Sequence, residues 1–508
     1  MSDTTAARTE SGKPEDVDKK ALLHVEQLLG RPAVCAAGKV VVGGERLNYK
    51  TAASFLPVVA PDALGSGADP QAAIMAISYT LDQGKVSAPR PVCFAFNGGP
   101  GSASIWLHMG ALGPQRVVVP DDASSPKAPF SWEENPDTWL THFDLVFSDP
   151  PHTGWSTTAG EKAKKQVLSV DGDVACLAEA IRLWLTREKR WSSPVYLAGE
   201  SYGTTRSAAL ADKLQNMGIS LSGLLLISCA MDLQSLVFSH GNHLPYALFL
   251  PAFANVSQYH GLLKGSLGRS SANARQAAEE FVREDYLAAL YQGAQLSAKR
   301  RSQLAQRLAE LTGLDSVLIA QKNLRITDQT YFFEAMRQQG LQVGRLDARA
   351  TGPLAAQQTQ QWEFDPSMEA ITPAFTMAAM DYFSRGLGLS SDAPYQVLSM
   401  EVNKKWKWTR GSDDNEHEFM GFVSTSADLS RAMRKNSNLQ VFVASGRYDL
   451  GTPYSASDWS LSQLDVSPAV MRRVSHHYYD AGHMMYTRSA DRIKMKKDLD
   501  QFLSRVPS

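Results

Sequence analysis

The sequence predicts an α/β fold, with a mainly parallel central sheet covered by helices and a helical cap inserted between its two halves. Three observations predict it. Short apolar runs that end at Gly, Asp or Glu alternate with stretches of helical periodicity, the pattern of a parallel sheet buried on both faces. That alternation stops near Phe238, where the chain turns rich in Ala, Gln and Leu. It resumes near Leu439. The core is therefore built from both ends of the chain. The expected divisions are a disordered tail over 1–20, a first core part over 21–237, a helical cap over 238–395 and a second core part over 396–508.

Taken in order, "KVVVGGERLNYKTAASFLPVV" and "AAIMAISYTLDQ" read as strands separated by Gly, Asn and Asp turn residues. "RPVCFAFNGG" is a short apolar run closed by glycines, and "HFDLVFSDPP" repeats that form up to Asp149; both suit buried central strands. "VLSVDGDVACLAEAIRLWLTRE" carries apolar residues at helical spacing. "PVYLAGE" is a further buried strand leading to Ser201, with a helix after it, and "LSGLLLISCAM" is another. Within the insertion, "ANARQAAEEFVREDYLAALYQ" and "AKRRSQLAQRLAELTG" are helices and no buried strand stands out. "LQVFVASGRYDLG" and "MRRVSHHYYDAGHMMY" restore the sheet, and "SADRIKMKKDLDQFLSRV" closes the chain as a helix.

Composition narrows the function. The 508 residues hold 51 basic and 52 acidic side chains, so no electrostatic footprint for nucleic acid exists. No apolar run approaches the ~20 residues of a membrane helix, so no membrane partner is expected. Cys35, Cys93, Cys176 and Cys229 show no metal-ligand spacing and lie among apolar residues, which reads as buried free thiols rather than a zinc site. No metal or cofactor is implied. The polar start "MSDTTAARTESGKPEDVDKK" lacks the apolar stretch of a secretory signal; the expectation is a cytoplasmic protein, or a periplasmic or secreted one if a signal was removed. Oligomeric state cannot be read from the sequence.

The chemistry centres on "SSPVYLAGESYGTTRSAAL". Gly199-x-Ser201-x-Gly203 alone is weak, since roughly 0.2 chance copies are expected at ordinary composition. Its place between a buried strand and a helix is what a nucleophile elbow requires. A serine needs a base and the base an orienting acid, in the chain order Ser, acid, His. Asp449 in "SGRYDLGTP" and His483 in "YYDAGHMMY" each follow a strand and are the expected partners. His476 and His477 lie inside the strand, Asp480 reads as a turn residue and Asp458 as a solvated helical one. The Tyr202 N–H should donate to the developing oxyanion. A second donor is expected from the loop "FNGGPGSAS", whose glycines let backbone approach a ligand.

"NGGPGSAS", "ALGP", "DPPHTGWS", "GESYG", "SGRYDLGTP" and "AGHMMY" occur in one order between Phe96 and Tyr486, and on them the chain resembles the serine carboxypeptidases, a branch of the α/β-hydrolase fold. The resemblance implies Ser201, Asp449 and His483 as the triad. It implies the N–H groups of Gly99 and Tyr202 as the oxyanion hole, and Asn97, the Gly98 backbone and Glu200 as the grip on the terminal carboxylate of a peptide. A glutamate facing a carboxylate is tolerable only if a proton is shared, so binding is expected to be best at acidic pH. The family's second glutamate falls here on Ala111, which leaves that group incomplete. His108, three residues earlier, is a candidate donor or positive charge for it. Phe96 replaces a common Trp, Pro151 and His152 depart from a smaller residue and Gly, and Ser102 replaces a disulfide cysteine. The implied activity is peptide hydrolysis from the C-terminus through an acyl-enzyme. The alternative, an esterase or acyltransferase on the same scaffold with a small acyl substrate, draws on Ala111. A non-catalytic binding protein is disfavoured by the intact triad.

Overall fold

The computed structural model describes residues 14–59, 70–82, 89–357, 360–411 and 421–505. Its centre is a ten-stranded sheet. The main strands are β1 (Val34–Val42), β2 (Glu45–Val58), β3 (Ala72–Leu81), β4 (Val92–Phe96), β5 (Asp144–Ser148), β6 (Val195–Glu200), β7 (Leu221–Ile227), β8 (Gln440–Gly446) and β9 (Val474–Tyr479). They lie in the order β1-β2-β3-β5-β4-β6-β7-β8-β9, with the short strand Thr157–Thr158 beside β3. From β5 to β9 every pairing is parallel; β1, β2 and β3 extend the sheet antiparallel.

Burial on both faces explains why the inner parallel strands β4 to β8 read as apolar runs, unlike the half-buried edge strand β9. Along β4, Cys93 and Ala95 enter one hydrophobic cluster while Val92, Phe94 and Phe96 enter the other. Along β8, Phe442 and Ala444 face the first and Val441 and Val443 the second. Helices Val170–Arg187 and Tyr202–Asn216 cover the second face, and Ser489–Leu503 covers the first through Met495, Leu499 and Phe502. Both cover layers come from segments that the sequence predicts to be helices.

The insertion is helical, with its own apolar cluster formed by helices such as Leu244–Tyr259 and Ala298–Thr312. It also holds a small hairpin, Leu341–Val343 with Thr351–Pro353, which the sequence did not announce because each strand has only three residues. Helix Pro366–Asp381 inserts Ala374, Phe375 and Ala378 into the sheet's cluster rather than that of the preceding helices.

Two expectations are corrected. Residues 14–20 do not belong to a disordered tail, because Pro14–Leu29 forms a helix whose Val25 and Leu28 pack on Ala73; residues 1–13 lie outside the described residues. Cys93, Cys176 and Cys229 are buried but Cys35 is exposed, since β1 turns its alternate residues to solvent.

Candidate active site

The site residues all follow the carboxyl ends of parallel strands, where open α/β sheets gather their ligands. Ser201 follows β6 directly, at φ 60° and ψ −129°. This left-handed turn is sparsely populated for a non-glycine residue, and it ends the strand and starts the helix in one step. Tyr202 opens that helix, so its N–H is among the first-turn donors that have no partner inside a helix. The glycine-rich loop that begins at Asn97 presses on the turn. A Cβ on Gly98 would sit 2.4 Å from Tyr202 N, and one on Gly203 would sit 2.7 Å from Phe96 O. Only glycine permits this contact, which sets the Gly98–Gly99 backbone against the serine.

The acid and base converge from β8 and β9. His483 Nδ1 lies 2.7 Å from Asp449 Oδ2, and both side chains are buried. The other carboxylate oxygen accepts from Gly451 N at 2.8 Å and Thr452 N at 3.0 Å, and Thr452 Oγ1 donates to Oδ2 at 2.7 Å. Burial alone would raise the Asp449 pKa, but His483 and these donors outweigh it and hold the carboxyl below its usual range. Burial likewise works against protonated His483, yet the charge and hydrogen bond of Asp449, aided by Glu200, leave its pKa raised. The end of β7 ties the His483 loop to the Ser201 turn. Ser201 N donates to Ile227 O at 3.0 Å, and Ser228 Oγ donates to His483 O at 2.6 Å.

Beneath the serine, Asn97 Nδ2 donates to Glu200 Oε1 at 2.8 Å, and Asn97 Oδ1 accepts from Leu107 N at 2.9 Å. Burial pushes the Glu200 pKa up to about 7, against the opposing pull of His483, Tyr486 and Asn97. Arg206, on the helix after Ser201, donates to Asn97 O at 2.6 Å and to Asp173 Oδ2 at 2.7 Å. That ion pair is buried, with 0% and 1% side-chain exposure. Asp149, after β5, accepts from Ser104 N at 2.9 Å and fixes the far end of the oxyanion loop.

The remaining predicted residues are accounted for as follows. His108 does not join the carboxylate group. Its Nε2 is 2.7 Å from Tyr79 Oη, its ring stacks on Phe147 at 4.2 Å, and burial pushes its pKa down to about 3. The reason is local: after one turn of α-helix at Ile105–Leu107, His108–Leu112 form a π-turn, so α-helical spacing does not put His108 and Ala111 on one face. His476 and Asp458 pair with each other at 2.9 Å, and His476 Nε2 meets Ser445 Oγ at 2.9 Å. This is a second Ser-His-Asp row, but Ser445 is fully buried and out of reach of a substrate. Asp480 pairs with Arg447 at the surface.

Sequence reasoning missed Thr452, Arg206, Tyr486 and the loop around Leu346. Thr452 had a signal, a threonine shortly after an acid in a turn. Leu346 had none. It lies in the insertion, yet its carbonyl accepts from His483 N at 2.6 Å.

A parallel sheet that delivers a turn-borne serine and a carboxylate-held histidine to one edge defines the α/β hydrolases. Within that class, the serine carboxypeptidase family description matches residues 79–497, most of the chain, and the chain belongs to that family; its activity is that of a serine-type carboxypeptidase. The fold resembles the prohormone-processing carboxypeptidase Kex1 of Saccharomyces cerevisiae, with a TM-score of 0.54 at 13% identity over 90% of this chain and 91% of that one. Proline iminopeptidase of Mycobacterium smegmatis gives 0.35 at 11% identity over 92% and 98%. Juvenile hormone epoxide hydrolase of the silkworm Bombyx mori gives 0.32 at 9% over 90% and 76%. No curated protein matches the chain. No helix among the described residues is long and apolar enough to cross a membrane.

Proposed function

We propose that Ser201, His483 and Asp449 hydrolyse the last peptide bond of a peptide with a free C-terminus. Ser201 Oγ attacks the scissile carbonyl while His483 Nε2 takes its proton. Asp449 holds the opposite nitrogen and stabilises the imidazolium. The N–H groups of Gly99 and Tyr202 receive the oxyanion, and preorganised donors of this kind act where charge develops. His483 then gives the proton to the departing amino acid. Water, deprotonated by His483, releases the acyl group from Ser201 in a second, equivalent cycle. Asn97, the Gly98 backbone and Glu200 hold the terminal carboxylate of the substrate.

The observation that carries this reading is the buried Asp449–His483 pair at 2.7 Å, whose histidine loop is tied through Ser228 and Ile227 to the strained strand-to-helix turn of Ser201. Active-site labelling with a fluorophosphonate tests it. The wild type is expected to take up the probe on Ser201, and Ser201→Ala to take up none; a labelled Ser201→Ala protein would contradict the assignment.

The sign of the pH dependence follows from the two shifted groups. His483 must be neutral to accept a proton, so kcat falls as pH drops through its raised pKa. Glu200 must carry a proton to face a carboxylate without repulsion, so KM for free-acid substrates rises as pH climbs through about 7. The cap helices of 238–395 are proposed to shape the side-chain pocket. The cytoplasm is the proposed compartment, supported by the free thiols Cys93, Cys176 and Cys229; fractionation of cells expressing the tagged full chain checks it.

A further inference from the structure

We infer that Tyr486 is a positioning residue for substrate recognition, its hydroxyl serving Glu200 in the part that Ala111 leaves unfilled. The inference rests on the reading that Glu200 faces the substrate carboxylate.

Tyr486 arrives from the turn after His483 and is fully buried. Its ring lies against the backbone next to Ala111, where a Cβ on Gly110 would meet it at 2.4 Å. Its hydroxyl faces both the Glu200 carboxyl and the Asn97 side chain. Neither Tyr486 Oη nor Glu200 Oε2 makes a full hydrogen bond with any described residue, although both are buried. Two orphan polar atoms side by side cost stability, and a phenylalanine would fill the same space without that cost. The orphan pair sits under the strand end that carries Ser201, with Glu200 Oε1 already committed to Asn97.

The chemistry of a phenol suits this place. Burial first, then the charge of Glu200, keeps the Tyr486 pKa well above its ordinary value, so the hydroxyl holds its proton at every working pH. A second carboxyl would be another titrating acid; Tyr486 is a constant donor. It stabilises ionised Glu200 and so limits how far burial raises the Glu200 pKa. The charged groups facing Glu200 are His483 and Asp449. Arg345 faces His483 in turn, and Arg492, paired with Asp137, meets Tyr486 at its carbonyl and not at its hydroxyl. The helix and π-turn at Ile105–Leu112 bring no carboxylate to Glu200. Recognition of a free C-terminus should therefore follow a single ionisation, that of Glu200.

The test compares pH profiles of kcat/KM for a blocked dipeptide and for its methyl ester, with wild type and Tyr486→Phe. The ester reports His483 and the triad without the terminal charge. In the wild type, the acid profile is expected to fall above about pH 7 while the ester profile does not. In Tyr486→Phe the midpoint of that fall should move up, by less than the roughly one pH unit of a full hydrogen bond to a charged group, because the hydroxyl that favours ionised Glu200 is gone. The ester profile should keep its midpoint, and the melting temperature should not drop. An unmoved acid midpoint, or acid and ester profiles that shift together, would overturn the role of Tyr486. Coincident acid and ester profiles in the wild type would overturn the carboxylate reading itself, and the role of Tyr486 with it. Glu200→Gln removes the titration. Adding Tyr486→Phe to it should leave the acid-to-ester ratio unchanged across pH, and a further pH-dependent change would again overturn the inference.

Discussion

Ser201 is held where a non-glycine side chain costs about 1–3 kcal/mol, and the structure balances that cost with the parallel ladder behind it and Ile227 O beneath it. Replacing Ser201 by alanine keeps the turn and removes the nucleophile, so kcat should fall by about 10⁴-fold or more with the melting temperature little changed; steady-state kinetics beside calorimetry checks both. Asp449→Asn should leave the fold intact and lower kcat by about 10³–10⁴-fold, because the amide no longer fixes the His483 tautomer. A loss of less than tenfold would show that Asp449 is not the orienting acid. These residues were legible in the sequence because each sits in a glycine- or proline-punctuated loop directly after an apolar run. His108 was legible only as a polar residue near the right place. What decided its position was a π-turn and four aromatic neighbours, Tyr79, Phe147, Tyr382 and Phe383, from segments remote in the chain. Tyr486 was visible as part of "AGHMMY", but nothing in that string says that its hydroxyl faces Glu200.

At the scale of elements, the helix Tyr202–Asn216 contributes more than its N-terminus. Arg206, one turn in, reaches back under the oxyanion loop to Asn97 O and across to Asp173 on helix Val170–Arg187. Its guanidinium lies over the Phe96 and Tyr202 rings, 5.8 and 5.1 Å from their centres. The pair thus locks two helices and the loop into one unit. Arg206→Met should cost about 3–5 kcal/mol, since Asp173 is left charged, buried and unpaired. Arg206→Met with Asp173→Leu should recover much of that loss. Denaturant melts of the two variants test this, and equal destabilisation by both would argue that the ion pair is not the source. The strands themselves were readable because burial on both faces makes them continuous apolar runs. The pairing of Arg206 with Asp173 was not, since each residue alone looks like an ordinary charge on an amphipathic helix.

Across the whole molecule, the insertion packs against the loops that carry Asp449 and His483. Tyr448 and Leu450, which flank Asp449, are buried in the insertion's own apolar cluster. Leu346 O accepts the His483 N–H, and Asp347 Oδ2 accepts from Gly482 N across 135 residues of chain. A Cβ at Gly482 would come within 2.4 Å of Leu346 O. Gly482→Ala should therefore displace the histidine loop and lower kcat by about 10-fold or more, with KM for ester substrates changed much less; the effect of ångström-scale misplacement on rate is of that order. Stopped or steady-state assays that found wild-type kcat would contradict a structural role for this contact. Nothing in the sequence pointed to it, because backbone-to-backbone contacts between distant loops leave no side-chain pattern. This sheet, its Ser201 elbow and its Glu200 grip are together expected to remove C-terminal residues. Release of the last amino acid from a blocked dipeptide, compared with the C-terminal amide and a p-nitrophenyl ester from pH 4.5 to 8, measures this. Release from the free acid is expected, declining as pH climbs through about 7, with little from the amide and none from either with Ser201→Ala. Hydrolysis of the ester with no release from the free acid at any pH would contradict it.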